Sequence, residues 1–389
     1  MTTSTELFDR LQHVLAAEPE LADSPNDLVA RIREEAGVIS NAEVLSILRQ
    51  LRNETHGLGQ LDGLLSGTGV TDIVVNGPKN VFVDRGQGLQ PAGVTFQDDA
   101  EVRRLATRLA VGCGSRLDDA QPFANGRMPR PDGTSLRIHA VLAPPAEGGT
   151  CLSVRVLRQQ RASLQALADN GTVPHDIAKL LAGIVRARIS FLVIGGTGSG
   201  KTTLLSALMG AVPDTERILI IEDTSELCPQ HPHTVSLISR GANAEGEGEI
   251  TMAELLRQSL RMRPDRIVVG EIRGREVCDL LAALNTGHDG GAGTLHANSL
   301  KEVPARMEAL AALGGMDRDA LHAQLAAAVD VVFTMERDRE GVRHLAEIGV
   351  LTGNPVTAAV VWSRDNGPQP GFAELARRAG LGADGEVAS

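Results

Sequence analysis

Apolar positions recur three and four residues apart near the start of the chain, in "ELFDRLQHVLA", "PNDLVARIREEAG" and "NAEVLSILRQLRNE". That spacing predicts a small N-terminal helical domain over residues 1–58. After "ETHGLGQLDG" the pattern changes. "TDIVVNG" and "NVFVDRG" predict short strands of a meander, "DAEVRRLATRLAVGCG" a helix, and "TSLRIHAVL" and "CLSVRVL" two further strands. Together they predict a compact α+β domain over 59–158. "RQQRASLQALADNGTVPHD" is polar and broken by Gly and Pro, so 159–173 reads as a linker. Strand and helix patterns then alternate from 174 to 362, as in a mostly parallel α/β domain ending in the strands "VDVVFTMER" and "RHLAEIGVL". The Gly-, Ala- and charge-rich segment 363–389 reads as a flexible tail.

The chemistry is concentrated in the α/β stretch. "GGTGSGKT" directly follows the apolar run "FLVI" and precedes the helical "TLLSALMGAV". It fits the phosphate-loop pattern, in which glycines turn successive backbone N–H groups onto one anion and the helix N-terminus faces the same charge. Gly195, Gly196, Thr197, Gly198, Ser199, Gly200, Lys201, Thr202 and Thr203 are therefore the candidate ATP-binding residues. Lys201 would reach the terminal phosphates and the Thr202 hydroxyl would ligate Mg²⁺. Further on, the apolar strand of "RILIIEDTSEL" ends in Glu222, Asp223 and Glu226. Strand ends in an open α/β sheet face the ligand crevice, which makes Glu222 the candidate for ordering water near the γ-phosphate. The strand of "RPDRIVVGEIRG" ends in Glu271, with Gly270 where most such ATPases carry Asp. The metal side then rests on Thr202, Glu271 and Glu222. In "NTGHDGGAGTLHANS" two histidines, His288 and His296, bracket a glycine-rich turn. His288 is the predicted γ-phosphate sensor.

Composition narrows the function classes. The net charge is −11 and aromatic residues make up 2% of the 389 positions, with no Tyr. A broad DNA-binding surface and an aromatic platform for single strands are both disfavoured. The four cysteines are scattered and form no CxxC pair, which predicts free thiols rather than a disulfide framework. No apolar run approaches the length of a membrane span and the N-terminus lacks a signal-peptide core, predicting a cytoplasmic protein.

The four ordered boxes, "GGTGSGKT", "IIEDTSEL", "RIVVGEIRG" and "TGHDGGAGTLHANS", resemble those of the secretion ATPase superfamily of type II and type IV secretion systems and type IV pili. "LRMRPDRIVVGEIRGREV" and "VTDIVVNGPKNVFVDRG" are most similar to the tight-adherence (Flp pilus) ATPases of the TadA/CpaF type. The resemblance spans about 60–350, although "NGRMPRPDGTSLRI" carries extra residues before its strand. It implies a RecA-like ATPase domain, covered over its nucleotide by the preceding α+β domain, in a homo-hexamer. It also implies that Arg137 of "LRIHAV" and Arg155 of "SVRVL" reach the phosphates. A planar, permanently charged guanidinium suits that role.

The resulting expectation is a Mg²⁺-dependent ATPase motor that powers pilus assembly or secretion. It would attach to the membrane's inner face through an inner-membrane platform protein. A nucleic-acid translocase for conjugative DNA transfer is the alternative.

Overall fold

The computed structural model describes residues 29–33, 44, 57–67, 69–130, 132–157, 162–242 and 247–381. Most of the predicted helical region at 1–58 lies outside the described residues. The chain divides into two compact units, Met1–Arg158 and Gln159–Ser389.

The first unit is built on a six-stranded antiparallel sheet. Its strands are β1 (Asp72–Asn76), β2 (Val81–Asp84), β3 (Leu89–Pro91), β4 (Phe123–Pro129), β5 (Ser135–Val141) and β6 (Cys151–Leu157), in the order β3-β2-β1-β6-β5-β4. Alternation sorts the side chains: Leu136, Ile138 and Ala140 of β5 are buried while Arg137 and His139 face the other way. The buried face packs with Val102, Leu105, Ala106 and Leu109 of helix α1 (Asp99–Gly112). The Asp98 side chain caps α1 by accepting the Glu101 N–H at 2.9 Å. Of the stretch "NGRMPRPDG", residues 125–129 form most of β4. Gly and Pro disguise that strand, and Gly126 is required because a Cβ there would lie 2.1 Å from Cys113 Cβ.

The second unit is an α/β sheet of nine strands, ordered β15-β14-β13-β12-β7-β11-β10-β8-β9. β7 (Phe191–Ile194), β8 (Ile218–Glu222), β9 (Thr234–Ile238), β10 (Arg266–Ile272), β11 (Ala292–Leu295) and β12 (Val331–Arg337) run parallel. β13 (Arg343–Thr352), β14 (Thr357–Ser363) and β15 (Gly367–Pro368) extend it antiparallel. Helices cover both faces, so the central strands are apolar on both sides. Phe191 and Val193 of β7 face one layer, with helices α2 (Leu164–Asp169), α3 (His175–Arg186), α4 (Lys201–Met209) and α9 (Phe372–Arg378). Leu192 and Ile194 face the other, with α5 (Met252–Ser259), α6 (Glu276–Leu284), α7 (Val303–Leu313) and α8 (Arg318–Ala328).

Two expectations are corrected here. The predicted linker contains α2, capped by Ser163, with Leu164 and Leu167 in the core. The predicted tail contains α9, whose Leu375 and Ala376 are buried, followed by the buried Ala379 and Leu381. A Cβ on Gly183 of α3 would lie 2.5 Å from the Ala379 carbonyl oxygen, so the end of this segment presses directly on α3. Phe372, Leu375, Ala376 and Ala379 keep a helical spacing that the Ala/Gly-rich composition conceals.

At the edge of the sheet where the parallel strands begin, Arg266 is fully buried. Its Nε donates to Glu216 Oε2 at 2.6 Å, Nη1 to the Gly290 carbonyl at 3.2 Å and Nη2 to the Val185 carbonyl at 2.9 Å. A buried charge is tolerated when paired and hydrogen-bonded in this way. The network ties α3, β10 and the turn before β11 together at the edge opposite the phosphate loop.

Candidate functional site

The register sets Ile194 of β7 beside Leu295 of β11, and Val269 of β10 beside both Ile221 of β8 and Gly293 of β11. The loops leaving these strands therefore emerge at one edge of the sheet, where ligands bind in open α/β folds. They are the phosphate loop, the Glu222 turn, the Glu271 turn and the segment beginning at His296.

The phosphate loop holds Gly195, Gly198 and Gly200 at φ +144°, +73° and +98°, conformations that residues with side chains rarely adopt. A Cβ on Gly195 would also lie 2.2 Å from the Met335 carbonyl oxygen. Lys201 begins α4 and is 7% exposed. Its Nζ donates to the carbonyls of Gly195 and Gly196 at 2.8 and 2.9 Å. Burial pushes its pKa down, against the pull of Glu271 and Glu226. Ser199 Oγ is buried with no hydrogen-bond partner. Gly196 and Thr197 are exposed, and Thr202 and Thr203 lie half-buried in the first turn of α4.

Glu222 closes β8 and is 2% exposed. Its Oε1 accepts the N–H groups of Glu226 and Leu227, each at 3.0 Å, while Oε2 is buried with no partner. Burial, reinforced by the Glu226 and Asp223 carboxylates, raises its pKa to about 7 despite the two N–H donors. Gly270 accounts for the room this side chain needs. A Cβ at 270 would lie 2.5 Å from Glu222 Cγ, so the space a side chain at 270 would take is filled by Glu222. A bulge lies at the same point: the β10–β11 register shifts between Val269 and Ile272, leaving Gly270 and Glu271 opposite Thr294. The Thr294 hydroxyl donates to the Gly270 carbonyl at 2.6 Å.

Both oxygens of Glu271 are engaged. Arg273 binds Oε2, and His296 Nε2 lies 2.6 Å from Oε1, a contact that requires the proton on Nε2. Arg273 also donates to Asp223 Oδ2 at 2.6 Å, linking the ends of β8 and β10. Burial works to raise the Glu271 pKa, but Arg273, His296 and Lys201 outweigh it and the net shift is downward. Burial, then the Lys201 charge, lower the His296 pKa and favour the neutral ring.

His288 is the correction at this site. It precedes β11, whereas the phosphate loop follows β7, and those strands run parallel. It therefore sits at the opposite edge, with Nδ1 3.2 Å from the Ala283 carbonyl. His296, one residue beyond β11, is the histidine brought to the carboxylates.

Arg137 and Arg155 belong to the first unit, where Arg127, Arg137 and Arg155 stand directly opposite one another across β4, β5 and β6. Asp72 of β1 continues the row, and Arg155 Nε donates to its Oδ1 at 3.0 Å. Like charges facing across strands are unfavourable without an anion. Arg127 joins this row because it lies on β4, a strand that Gly and Pro conceal in the sequence.

The donor set fits a magnesium nucleotide. Among the described residues no group of three or more His, Cys, Asp or Glu could hold a metal by itself. Mg²⁺ needs few protein ligands when phosphates supply the rest, and the Thr202 hydroxyl in the first turn of α4 is an oxygen of the kind it takes.

The Glu222 shift has a measurable consequence in the nucleotide- and metal-free protein. From pH about 4.5 to about 7 the folded protein keeps a proton that the unfolded chain has released, so this group's contribution to stability falls as pH rises. Glu222→Gln should gain on wild type across that window by up to about 3 kcal/mol in urea unfolding. Parallel profiles for the two proteins would refute the shift.

The sequence pattern of the type II/IV secretion system protein family matches residues 54–340. The chain is 56% identical over 342 residues to a putative conjugal transfer protein of Mycobacterium tuberculosis, covering 87% of this chain and 97% of that one. It is 32% identical over 301 residues to the conjugal transfer protein TrbB of Rhizobium radiobacter, covering 76% and 88%. The pilus retraction motor PilT with bound ADP shares the fold, with a TM-score of 0.56 at 20% identity over 82% of this chain and 85% of that one.

Proposed function

Since the chain belongs to the type II/IV secretion system protein family, we propose that it is a Mg²⁺-ATP-driven hexameric motor acting on a membrane platform protein. The observation that carries this reading is the buried, unpartnered oxygen of Glu222, set on the same sheet edge as the phosphate loop and Glu271. An ATPase needs positioning and charge neutralisation more than covalent chemistry.

In this mechanism the N–H groups of 195–203 and the Lys201 ammonium hold the phosphate chain. Thr202 and Glu271 would hold Mg²⁺, Glu271 by exchanging its Arg273 or His296 contact, and the ion would offset phosphate charge. Glu222 Oε2 accepts the proton of the attacking water, and a pKa near 7 suits a base working at neutral pH. His296, rather than His288, lies on the γ-phosphate side and reports its loss. Arg137 and Arg155, which the family resemblance assigns to the phosphates, carry the positive charge of that role, with Arg127 beside them on the same sheet. Their charge would stabilise the transition state more than the ground state.

The "LRMRPDRIVVGEIRGREV" and "VTDIVVNGPKNVFVDRG" segments support a tight-adherence pilus role, while the relatives called conjugal transfer proteins favour DNA transfer. The charge of −11 and the scarcity of aromatics favour a motor that works through a platform in either pathway. Among the described residues no helix is long and apolar enough to cross a membrane.

ATPase rate and sedimentation, measured together over a concentration series, test this. Turnover per subunit should rise until a species of about six subunits forms, and DNA should change it less than about twofold. Full activity in the monomer would defeat the ring. Strong stimulation by DNA that persists at high salt would make the protein a DNA translocase.

A further inference from the structure

The phosphate loop is braced from outside by the β12–β13 hairpin. Arg343, the first residue of β13, donates from Nε to the Gly198 carbonyl at 2.8 Å. Its stem lies against the same loop: a Cβ on Gly200 would be 3.3 Å from Arg343 Cδ and 3.4 Å from Met335 Cε. Met335 of β12 already abuts Gly195 through its carbonyl. The hairpin therefore touches the loop at Gly195, Gly198 and Gly200.

The Arg343 contact falls where the loop can most easily go wrong. Gly198, at φ +73°, has no side chain to resist a flip of the peptide that follows it. In a planar trans peptide the C=O and the next N–H point in opposite directions. Holding the Gly198 oxygen outward turns the Ser199 N–H inward. That N–H points at the Gly196 carbonyl oxygen, at 3.4 Å, the same oxygen that accepts Lys201 Nζ at 2.9 Å. The Ser199 N–H and the Lys201 ammonium thus converge on one spot.

We infer that Arg343 is a positioning residue for nucleotide binding: it fixes the Gly198–Ser199 peptide so that the Ser199 N–H is presented to phosphate. The inference rests on the reading of residues 195–203 as the nucleotide site. It concerns hydrogen-bond geometry rather than the arginine's charge, and that difference is testable.

Glutamine carries an amide nitrogen at the chain position of arginine Nε, with no charge; methionine keeps the apolar stem and offers no donor. With full-length protein, Mg²⁺ and a fluorescent ADP analogue, Arg343→Met should raise Kd, and the KM for ATP, about tenfold while kcat changes less than about threefold. Arg343→Gln should stay within about threefold of wild type in Kd, with an unchanged salt dependence. Arg343→Ala takes the place of the Met variant should that protein not fold. A donor-less variant within twofold of wild type would overturn the inference. So would a Gln variant as weak as the donor-less one, since the charge would then be what matters. Lys201→Ala, measured alongside, separates the two readings. If wild type itself binds no nucleotide, the site assignment fails. If wild type binds, Lys201→Ala does not, and Arg343→Met binds normally, only the role of Arg343 falls.

Discussion

Replacing Lys201 with alanine is expected to lower kcat/KM for ATP by about three orders of magnitude. The ammonium is already withdrawn from water at 7% exposure, held by two neutral carbonyls of the loop it serves. Much of its desolvation cost is therefore met on folding rather than on binding nucleotide. A phosphate chain entering the loop meets a positive charge with few competing waters, where electrostatic interactions are stronger than in bulk. Alanine removes that charge and leaves the Gly195 and Gly196 carbonyls facing the incoming anion. The loss should fall on both nucleotide affinity and turnover, with secondary structure by circular dichroism unchanged. Turnover within about tenfold of wild type would mean that the loop does not hold the reacting phosphates.

The parts of this site that are legible in the sequence are those whose residue types are dictated by local backbone geometry. Gly195, Gly198 and Gly200 adopt positive φ, and the strand before them and the helix after them are strongly patterned. Glu222 and Glu271 are legible because each ends an apolar run, and strand ends face ligands in this architecture. The choice between His288 and His296 depended on the direction of a four-residue strand, β11. Its signal was available: the residue after a parallel strand, not the one before it, reaches the ligand edge. The meaning of Gly270 was not available, because it lies in the contact between β10 and Glu222 of β8. The same applies to Arg343, which is 145 residues from the carbonyl it holds. The overlooked elements α2, β4 and α9 share a different cause. Polar residues, Gly, Pro or Ala dominate their composition, and only the spacing of a few apolar positions records their burial.

Glu222→Gln should leave nucleotide binding within about threefold of wild type while kcat falls by about two to four orders of magnitude. The local geometry supports this split. Oε1 accepts two backbone N–H groups, and the glutamine carbonyl oxygen can accept both in its place. The turn after β8 is then preserved, and the amide group occupies the position of Oε2. That position, unpartnered in the protein, is where a proton acceptor is needed, and an amide nitrogen cannot accept a proton from water. Glutamine also matches the volume that Gly270 leaves open, so the bulge that aims Glu271 has no cause to relax. The measurement is steady-state hydrolysis beside ADP affinity for both proteins. Hydrolysis within about threefold of wild type would move the base to another group on the sheet edge. Lost binding would instead make Glu222 an anchor for the nucleotide or its metal. If binding survives and turnover does not, the proton acceptor is the carboxylate that burial, more than any neighbouring charge, has tuned toward neutral pH.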